Sequence, residues 1–336
     1  MMNRRSKNLY LVGTILVIGF VFSAYMLLKN NESNREVTKS SNFQDEYVNV
    51  DEFGANGTDD KDDSEYIQEA INYGHNSKIG KVKLLGNKNY TLKRGLVLKE
   101  GVELEFGQNT RIKVEGNFRV FEVKKNASVT NGIIEIVDAR YDSDVFYLDG
   151  DQKFWSWDRT QISNVTIINT SGSHKGTGIH LYAGGPEHFI SFVDFSGIRI
   201  AGFYTGVKLE AERTEDSNKY SFVNGNRFIN FTLDDCVTCI DIDSSVTVPN
   251  ESTGNDFSGL QIQLTKHTKS AITISGSDNK FEGVIWDVHL LKKNKPIIVF
   301  SKESARNTVF SNITSNFIRD NGENNYYTSP EEESAY

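Results

Sequence analysis

From about residue 120 the chain repeats a pattern without repeating its residues. NRFINFTLDDCVTCIDID, NDFSGLQIQLTKHTKSAITIS, NKFEGVIWDVHLLKKNKPIIVF and NTVFSNITSNFI begin at Asn226, Asn255, Asn279 and Asn307. The full units each read as a strand, a turn and a second strand, and the last is partial. Phe228, Phe257, Phe281 and Phe310 are spaced by 29, 24 and 29 residues. Such a period identifies a solenoid, because one unit cannot bury its own apolar side and must stack on the next. Coils of this kind lay parallel strands about 4.8 Å apart. The expected fold is therefore all-β, with phenylalanines stacked inside and asparagines stacked at the turns. The 27 glycines and four prolines suit many short strands joined by turns.

In a parallel solenoid, equivalent outward residues of successive coils become neighbours in space. The second strands of successive units read VFYLD, GIHLY, GVKLE, CIDID and AITIS. With Phe146, Ile179, Val207, Ile240 and Ile272 inward, alternation puts Tyr147, His180, Lys208, Asp241 and Thr273 outward. A second outward column holds Asp149, Tyr182, Glu210, Asp243 and Ser275. Acids, bases and tyrosines thus gather on one face, where an ordinary solvated surface is the competing reading. Insertions flank this face at 137–160 and 210–222. The first carries Phe154, Trp155 and Trp157, aromatics that either stack on sugar rings or cover the sheet below. The turn HLYAGGPEHF adds Glu187 and His188 near the same edge.

Before the repeats, FGANGTDDKDDSEYIQEAI at 53–71 joins an acidic turn to one amphipathic helix, expected over about 63–74. Asp63 or Ser64 serves as N-cap, and Ile67, Ala70 and Ile71 recur at helical spacing. This stretch resembles the N-terminal motif FGA-x-GDG-x-x-DDT-x-A-I-Q-x-A-I of the pectate lyase superfamily of right-handed parallel β-helices. Phe53, Gly54, Ala55, Gly57, Asp62, Asp63, Ile67, Gln68, Ala70 and Ile71 match in register, whereas Thr58, Asp59, Ser64 and Tyr66 depart from it. KVKLLGNKNYTLKRGLVLKEGVELEFGQNTRIKV at 81–114 looks like the family's first rungs. The resemblance implies a β-helix with a capping helix. The motif carries no catalytic group, so it implies little about chemistry.

Residues 9–28 form an uncharged run of 20 preceded by Arg4, Arg5 and Lys7. That length spans a bilayer, and the basic flank assigns the N-terminus to the cytoplasm. The expected layout is a cytoplasmic tip at 1–8, a transmembrane anchor at 9–28, a polar stalk at 29–46, a β-helix at 47–318 and a disordered tail at 319–336. Cleavage of the apolar run as a signal peptide, releasing a secreted body, is the alternative. A net charge of −8 over 336 residues gives no basis for nucleic-acid binding. Cys236 and Cys239 are the only cysteines and read as structural, since no thioredoxin-like βαβ unit surrounds them.

The outward columns suit chemistry on a polysaccharide. Glu210 with Asp243 or Asp241 offers a carboxylate pair for glycoside hydrolysis. His180, Lys208 and Tyr182 supply the base, charge neutraliser and acid that β-elimination or epimerisation of a uronate requires. As the resemblance implies for calcium-dependent pectate lyases, Asp241, Asp243 and Glu210 offer oxygen ligands, which leaves calcium open as a cofactor although no metal site is assigned. The candidate catalytic set is His180, Tyr182, Lys208, Glu210, Asp241 and Asp243, with Tyr147, Asp149, Trp155 and Trp157 as substrate contacts. Three hypotheses follow: an anchored enzyme acting on an acidic glycan, a non-catalytic glycan-binding surface protein, and a spike-like structural domain for which a trimer would speak.

Overall fold

A computed structural model describes residues 46–216, 218–291 and 295–328. The apolar run at 9–28, the polar stretch up to 45 and the chain after 328 lie outside the described residues. Among the described residues no helix is long and apolar enough to cross a membrane.

Alternation decides the local structure. Lys81–Leu84, Glu103–Phe106 and Arg111–Val114 each run half-buried, buried, half-buried, buried. A period of two is that of a strand with one face inside. Every strand pairing between these elements is parallel, and the result is a β-helix built from stacked ladders. The first ladder runs through Lys81–Leu84, Glu103–Phe106, Ser128–Thr130, Gln161–Ser163, Asp194–Ser196 and Arg227–Ile229. The second runs through Asn89–Leu92, Arg111–Val114, Ile133–Ile136, Thr166–Asn169, Arg199–Ala201 and Thr232–Asp234. The two merge where the longer strand Asp256–Gln263 pairs with both, and Lys280–Trp286 stacks on it along its whole length. The third ladder orders Leu96–Leu98, Phe121–Val123, Asp144–Asp149, Thr177–Ala183, Thr205–Ala211, Thr238–Asp243, Ser270–Ser277, Ile298–Ala305 and Ile318–Asp320. A short fourth ladder, Phe189–Ser191, Ser221–Asn224 and Asn250–Glu251, widens the middle coils.

The core is a set of columns. Phe195, Phe228, Phe257 and Phe281 stack with ring centroids 4.8, 4.2 and 5.0 Å apart. Phe310 is not in this column: Phe281 pairs with Val309, and Phe310 points outward, 38% exposed. The asparagines set this register. Asn226, Asn255, Asn279, Asn307 and Asn325 hydrogen-bond side chain to side chain, each link 3.0 Å. Position 2 after the asparagine is inward, and after Asn307 that position is a valine.

Helix Ser64–Asn76 covers the N-terminal end, burying Ile67, Ala70 and Ile71. Its polar residues satisfy strand edges that would otherwise be left open. Gln68 Oε1 accepts from Val97 N at 2.7 Å while its Nε2 donates to Val97 O at 3.1 Å, as a neighbouring strand would. Asp63 occupies the N-cap position but its side chain does not cap the helix. It accepts instead from Asn56 N at 2.8 Å and Thr91 N at 2.9 Å, closing the edge of the second ladder. Asp62 takes over the capping, accepting from Ser64 N at 3.0 Å.

The body extends past residue 318, which corrects the boundary expected there. Tyr326–Tyr327 pairs with Thr308–Phe310, and Asn325 adds a further rung to the asparagine ladder. Tyr327 also packs against Phe300, with centroids 6.0 Å apart. Phe310 and Tyr326 make a second aromatic contact at 5.9 Å, and strand bonds to Asn307 and Val309 complete a rung too short for periodicity to reveal.

Cys236 and Cys239 are both free and buried. Cys239 follows Gly178 and Gly206 and precedes Ala271 in one column of the third ladder, because Thr177, Thr205, Thr238 and Ser270 are register partners. A Cβ on Gly206 would lie 2.5 Å from Cys239 O, so this column admits only small side chains.

Candidate functional site

The third ladder places the outward residues in the expected register. Tyr147 pairs with His180, His180 with Lys208, Lys208 with Asp241 and Asp241 with Thr273. Alongside, Asp149 pairs with Tyr182, Tyr182 with Glu210 and Glu210 with Asp243. The buried Phe146, Ile179, Val207, Ile240 and Ile272 beneath them fix the face on which each polar residue emerges. A slip of one residue would reverse every one of them.

Glu210 is the centre of the array. Its Oε2 accepts from Lys208 Nζ at 2.6 Å and lies 3.0 Å from His180 Nε2. The other ring nitrogen of His180 stands 3.1 Å from Asp144 Oδ1, and Arg119 Nε is 3.4 Å from Asp144 Oδ2. A chain of alternating charge therefore runs Arg119, Asp144, His180, Glu210, Lys208 across the coils. The His180 bond holds Glu210 far below the usual carboxylate range, at about 2; partial burial works against this and Lys208 adds to it. Burial opposes the imidazolium of His180, but bonds to Asp144 and Glu210 outweigh it and raise its pKa.

Asp241 is the opposite case. Among the described residues its carboxyl has no hydrogen-bonding partner, and burial raises its pKa; Lys208 pulls it down while Asp243 and Glu210 push it up. Asp243, next outward on the same strand, is exposed. Two carboxyl groups in adjacent coils thus differ in proton affinity because one has cationic donors and the other does not. Tyr182 donates to Glu212 Oε2 at 2.9 Å and is pushed up to about 12, chiefly by desolvation.

Two expected substrate contacts are corrected. Tyr147 is 3% exposed: the Arg119 guanidinium lies 3.5 Å over its ring, and its hydroxyl donates to Asp149 Oδ2 at 3.0 Å. Its ring faces are covered, so it supports Asp149 rather than offering a stacking surface. The tryptophan insertion lies on the fourth ladder. Trp155 covers that sheet, edge-on to Phe189, Phe192 and Phe222 at 5.6, 5.4 and 6.5 Å. Phe154 is wholly buried, and Trp157 stands out, 77% exposed. Asp149 reaches the same corner, 3.7 Å from His188 Nδ1.

Sequence reasoning missed Asp144 and Arg119. Asp144 shares the parity of the inward Phe146, but it opens its strand, where the chain is still leaving a corner and its side chain emerges half-buried. Arg119 precedes the strand Phe121–Val123 and belongs to no column. Nor does the calcium set survive as a free cluster, since Glu210 Oε2 already holds two cationic groups. A groove of about 660 Å³ lies elsewhere, at a corner of the first two ladders lined by Lys83, Glu105, Asn109, Asn131 and Asn164. It gathers amides and one acid, Glu105, where partial burial is outweighed by ion pairs with Lys81 and Lys83 that hold the carboxyl below its usual range.

No family model matches the chain, and no curated protein matches its sequence. Solved structures give distant similarities. The A-module of the Azotobacter vinelandii mannuronan C-5 epimerase AlgE4 is 14% identical, with TM-score 0.41 over 84% of this chain and 95% of that one. The Streptococcus pneumoniae surface protein and adhesin PfbA is 12% identical, with TM-score 0.42 over 84% and 97%. A tailspike protein of Escherichia coli bacteriophage HK620 is 11% identical, with TM-score 0.42 over 84% of this chain and 63% of that one. The architecture of this chain rests on its own strand register.

Proposed function

We propose that the outward face of the third ladder hydrolyses a glycosidic bond in a polysaccharide lying across the coils. The observation that supports this is the split between Glu210, held ionised by His180 and Lys208, and Asp241, whose proton affinity burial raises. Asp241 is the proton donor to the leaving oxygen. A carboxylate at about pKa 2 is a poor base, so Glu210 stabilises positive charge developing on the sugar, and the exposed Asp243 activates water. Asp241 and Asp243 are two residues apart on one strand, roughly 7 Å by strand geometry. That separation falls in the range of inverting enzymes.

The charge on the face bears on the substrate. Arg119, His180 and Lys208 are each already paired with a carboxylate. They offer a uronate no unpaired cation, which favours hydrolysis over the β-elimination that acidic glycans undergo. Residues 9–28 tether the body outside the membrane in this proposal, because the positive charges precede the apolar run. The test is incubation of the full chain with neutral and uronate-containing polysaccharides, reading reducing ends and the absorbance of unsaturated products. New reducing ends without that absorbance support hydrolysis, and absorbance would show a lyase. Binding without either product would support a glycan-binding surface protein, a reading that the exposed Trp157 favours.

A further inference from the structure

Three turns at the corner between the second and third ladders bring His174, Asp235 and His267 together, away from the columns just described. His174 lies between Thr166–Asn169 and Thr177–Ala183, Asp235 between Thr232–Asp234 and Thr238–Asp243, and His267 between Asp256–Gln263 and Ser270–Ser277. The intervening coil turns tightly at Gly202, whose N–H donates to Asp234 O at 3.1 Å. The longer turn before Thr177 passes over it to reach Asp235. His174 Nε2 is 2.7 Å from Asp235 Oδ2, and His267 Nδ1 is 2.9 Å from Asp235 Oδ1. One potential ligand atom from each residue lies within 4.8 Å of the other two.

The surroundings orient these atoms. His174 Nδ1 is 3.3 Å from Gly172 O, and donation there turns the lone pair of Nε2 toward Asp235. That tautomer leaves the Nε2 lone pair for an ion, whereas the other tautomer donates Nε2–H to the carboxylate directly. The Thr265 hydroxyl donates to Asp235 Oδ1 at 2.5 Å and accepts from His267 N at 3.2 Å, fixing both groups. A histidine whose far nitrogen donates to a backbone carbonyl, with a carboxylate held by a hydroxyl, is the usual support around a metal ligand set. His174 and Asp235 both hold left-handed backbone, φ 49° and 50°, which costs non-glycine residues energy and here turns both side chains to one point.

We propose that His174 Nε2, an oxygen of Asp235 and His267 Nδ1 bind a zinc-type divalent transition ion, with a fourth position left to water. Two imidazoles and one carboxylate suit zinc and its first-row neighbours, whereas calcium and magnesium prefer oxygen donors. Bonds of 2.0–2.1 Å in a tetrahedron set the ligand atoms about 3.3 Å apart, so the present contacts need to open by roughly half an ångström. The ion would clamp three turns across the coils that carry the candidate catalytic face.

The test uses the full chain stripped by a chelator, titrated with zinc by calorimetry and, separately, with cobalt(II) followed by visible absorption. The expected result is one zinc per chain, a rise in unfolding temperature with zinc, and cobalt bands of a low-coordinate site. His174→Gln and His267→Gln should each remove that zinc equivalent and those bands. The cobalt spectrum is read independently of any loss of stability in the variants. Absence of zinc binding by the stripped protein would overturn the site and leave a hydrogen-bonded cluster. Zinc and cobalt bands retained in both variants would equally overturn it.

Discussion

His180 Nε2 and Glu210 Oε2 meet at 3.0 Å although they belong to neighbouring coils and adjacent outward columns. The contact binds a proton more tightly on the histidine and less tightly on the glutamate than either group does in an unfolded chain. For Glu210, depressed to about 2, the stabilisation is present above the ordinary range near 4.5 and is lost as pH falls from there toward 2. For His180, raised above 6.5, it is complete below 6.5 and is lost as pH rises through the folded value. Urea unfolding followed from about pH 3, within the Glu210 loss, to about pH 9, alkaline of the ordinary histidine range, should therefore peak in the weakly acidic range. His180→Gln should flatten the alkaline side and Glu210→Gln the acid side. Variants that keep the parent's pH profile would show that the contact does not couple to folding.

The register of this face was legible because its buried side is unambiguous: isoleucine, valine and phenylalanine alternate with polar residues in four consecutive coils. Pairing of Lys208 with Asp241 and of Glu210 with Asp243 follows from counting by twos. What failed to show was whatever depends on a corner. Asp144 emerges where alternation has not yet begun, and the tryptophan insertion settles on the fourth ladder, which is too short and aromatic-rich to declare itself. Phe310 misled because the phenylalanine spacing looked like the repeat, whereas the buried asparagines carry the true register and put Val309 at the inward position. His174, Asp235 and His267 lie in three turns of different length, so no sequence period links them.

If the chain hydrolyses a glycan, Asp241→Asn should lower turnover by at least about 100-fold, the range expected on removing a general acid. Asp243→Asn should do the same, and Glu210→Gln should also lose rate through loss of charge stabilisation. Asp241→Asn should keep its fold, because the carboxyl has no hydrogen bond to lose and its burial disfavours the charge in any case. Reducing-end assays with circular dichroism on each variant decide it. Undiminished turnover in both Asp241→Asn and Asp243→Asn would return the columns to solvated surface.

The asparagine ladder sets a stability test independent of function. Asn255 accepts from Asn226 N and Asn226 Nδ2, and its own Nδ2 donates to Val223 O at 2.9 Å and to Asn279 Oδ1 at 3.0 Å. All of this is buried, so Asn255→Ala would strand donors and acceptors on two neighbouring coils. The expected loss is about 2–4 kcal/mol by urea unfolding, since each unsatisfied buried group costs about 1–3 kcal/mol. An exposed asparagine such as Asn218, replaced in the same way, should change stability by no more than about 0.5 kcal/mol. Equal effects at the two positions would mean that the ladder is ornamental to folding.

The small-residue column gives Cys239 its reason. Cys239 sits directly above Gly206, whose missing Cβ would approach Cys239 O at 2.5 Å and Leu233 Cδ2 at 3.0 Å. Anything larger forces the coils apart. Gly206→Ala should therefore destabilise the body by about 1–3 kcal/mol, the usual cost of overpacking. Cys239→Ala, which shrinks a side chain in the same column, leaves only a small cavity and should cost less. The neighbouring Cys236 thiol and burial raise the Cys239 pKa well above its ordinary value, so little thiolate forms and Cys239 in the native protein should resist thiol reagents until it is unfolded. Rapid labelling of Cys239 in the native state, or a Cys239→Ala variant less stable than Gly206→Ala, would show that this column is not governed by size.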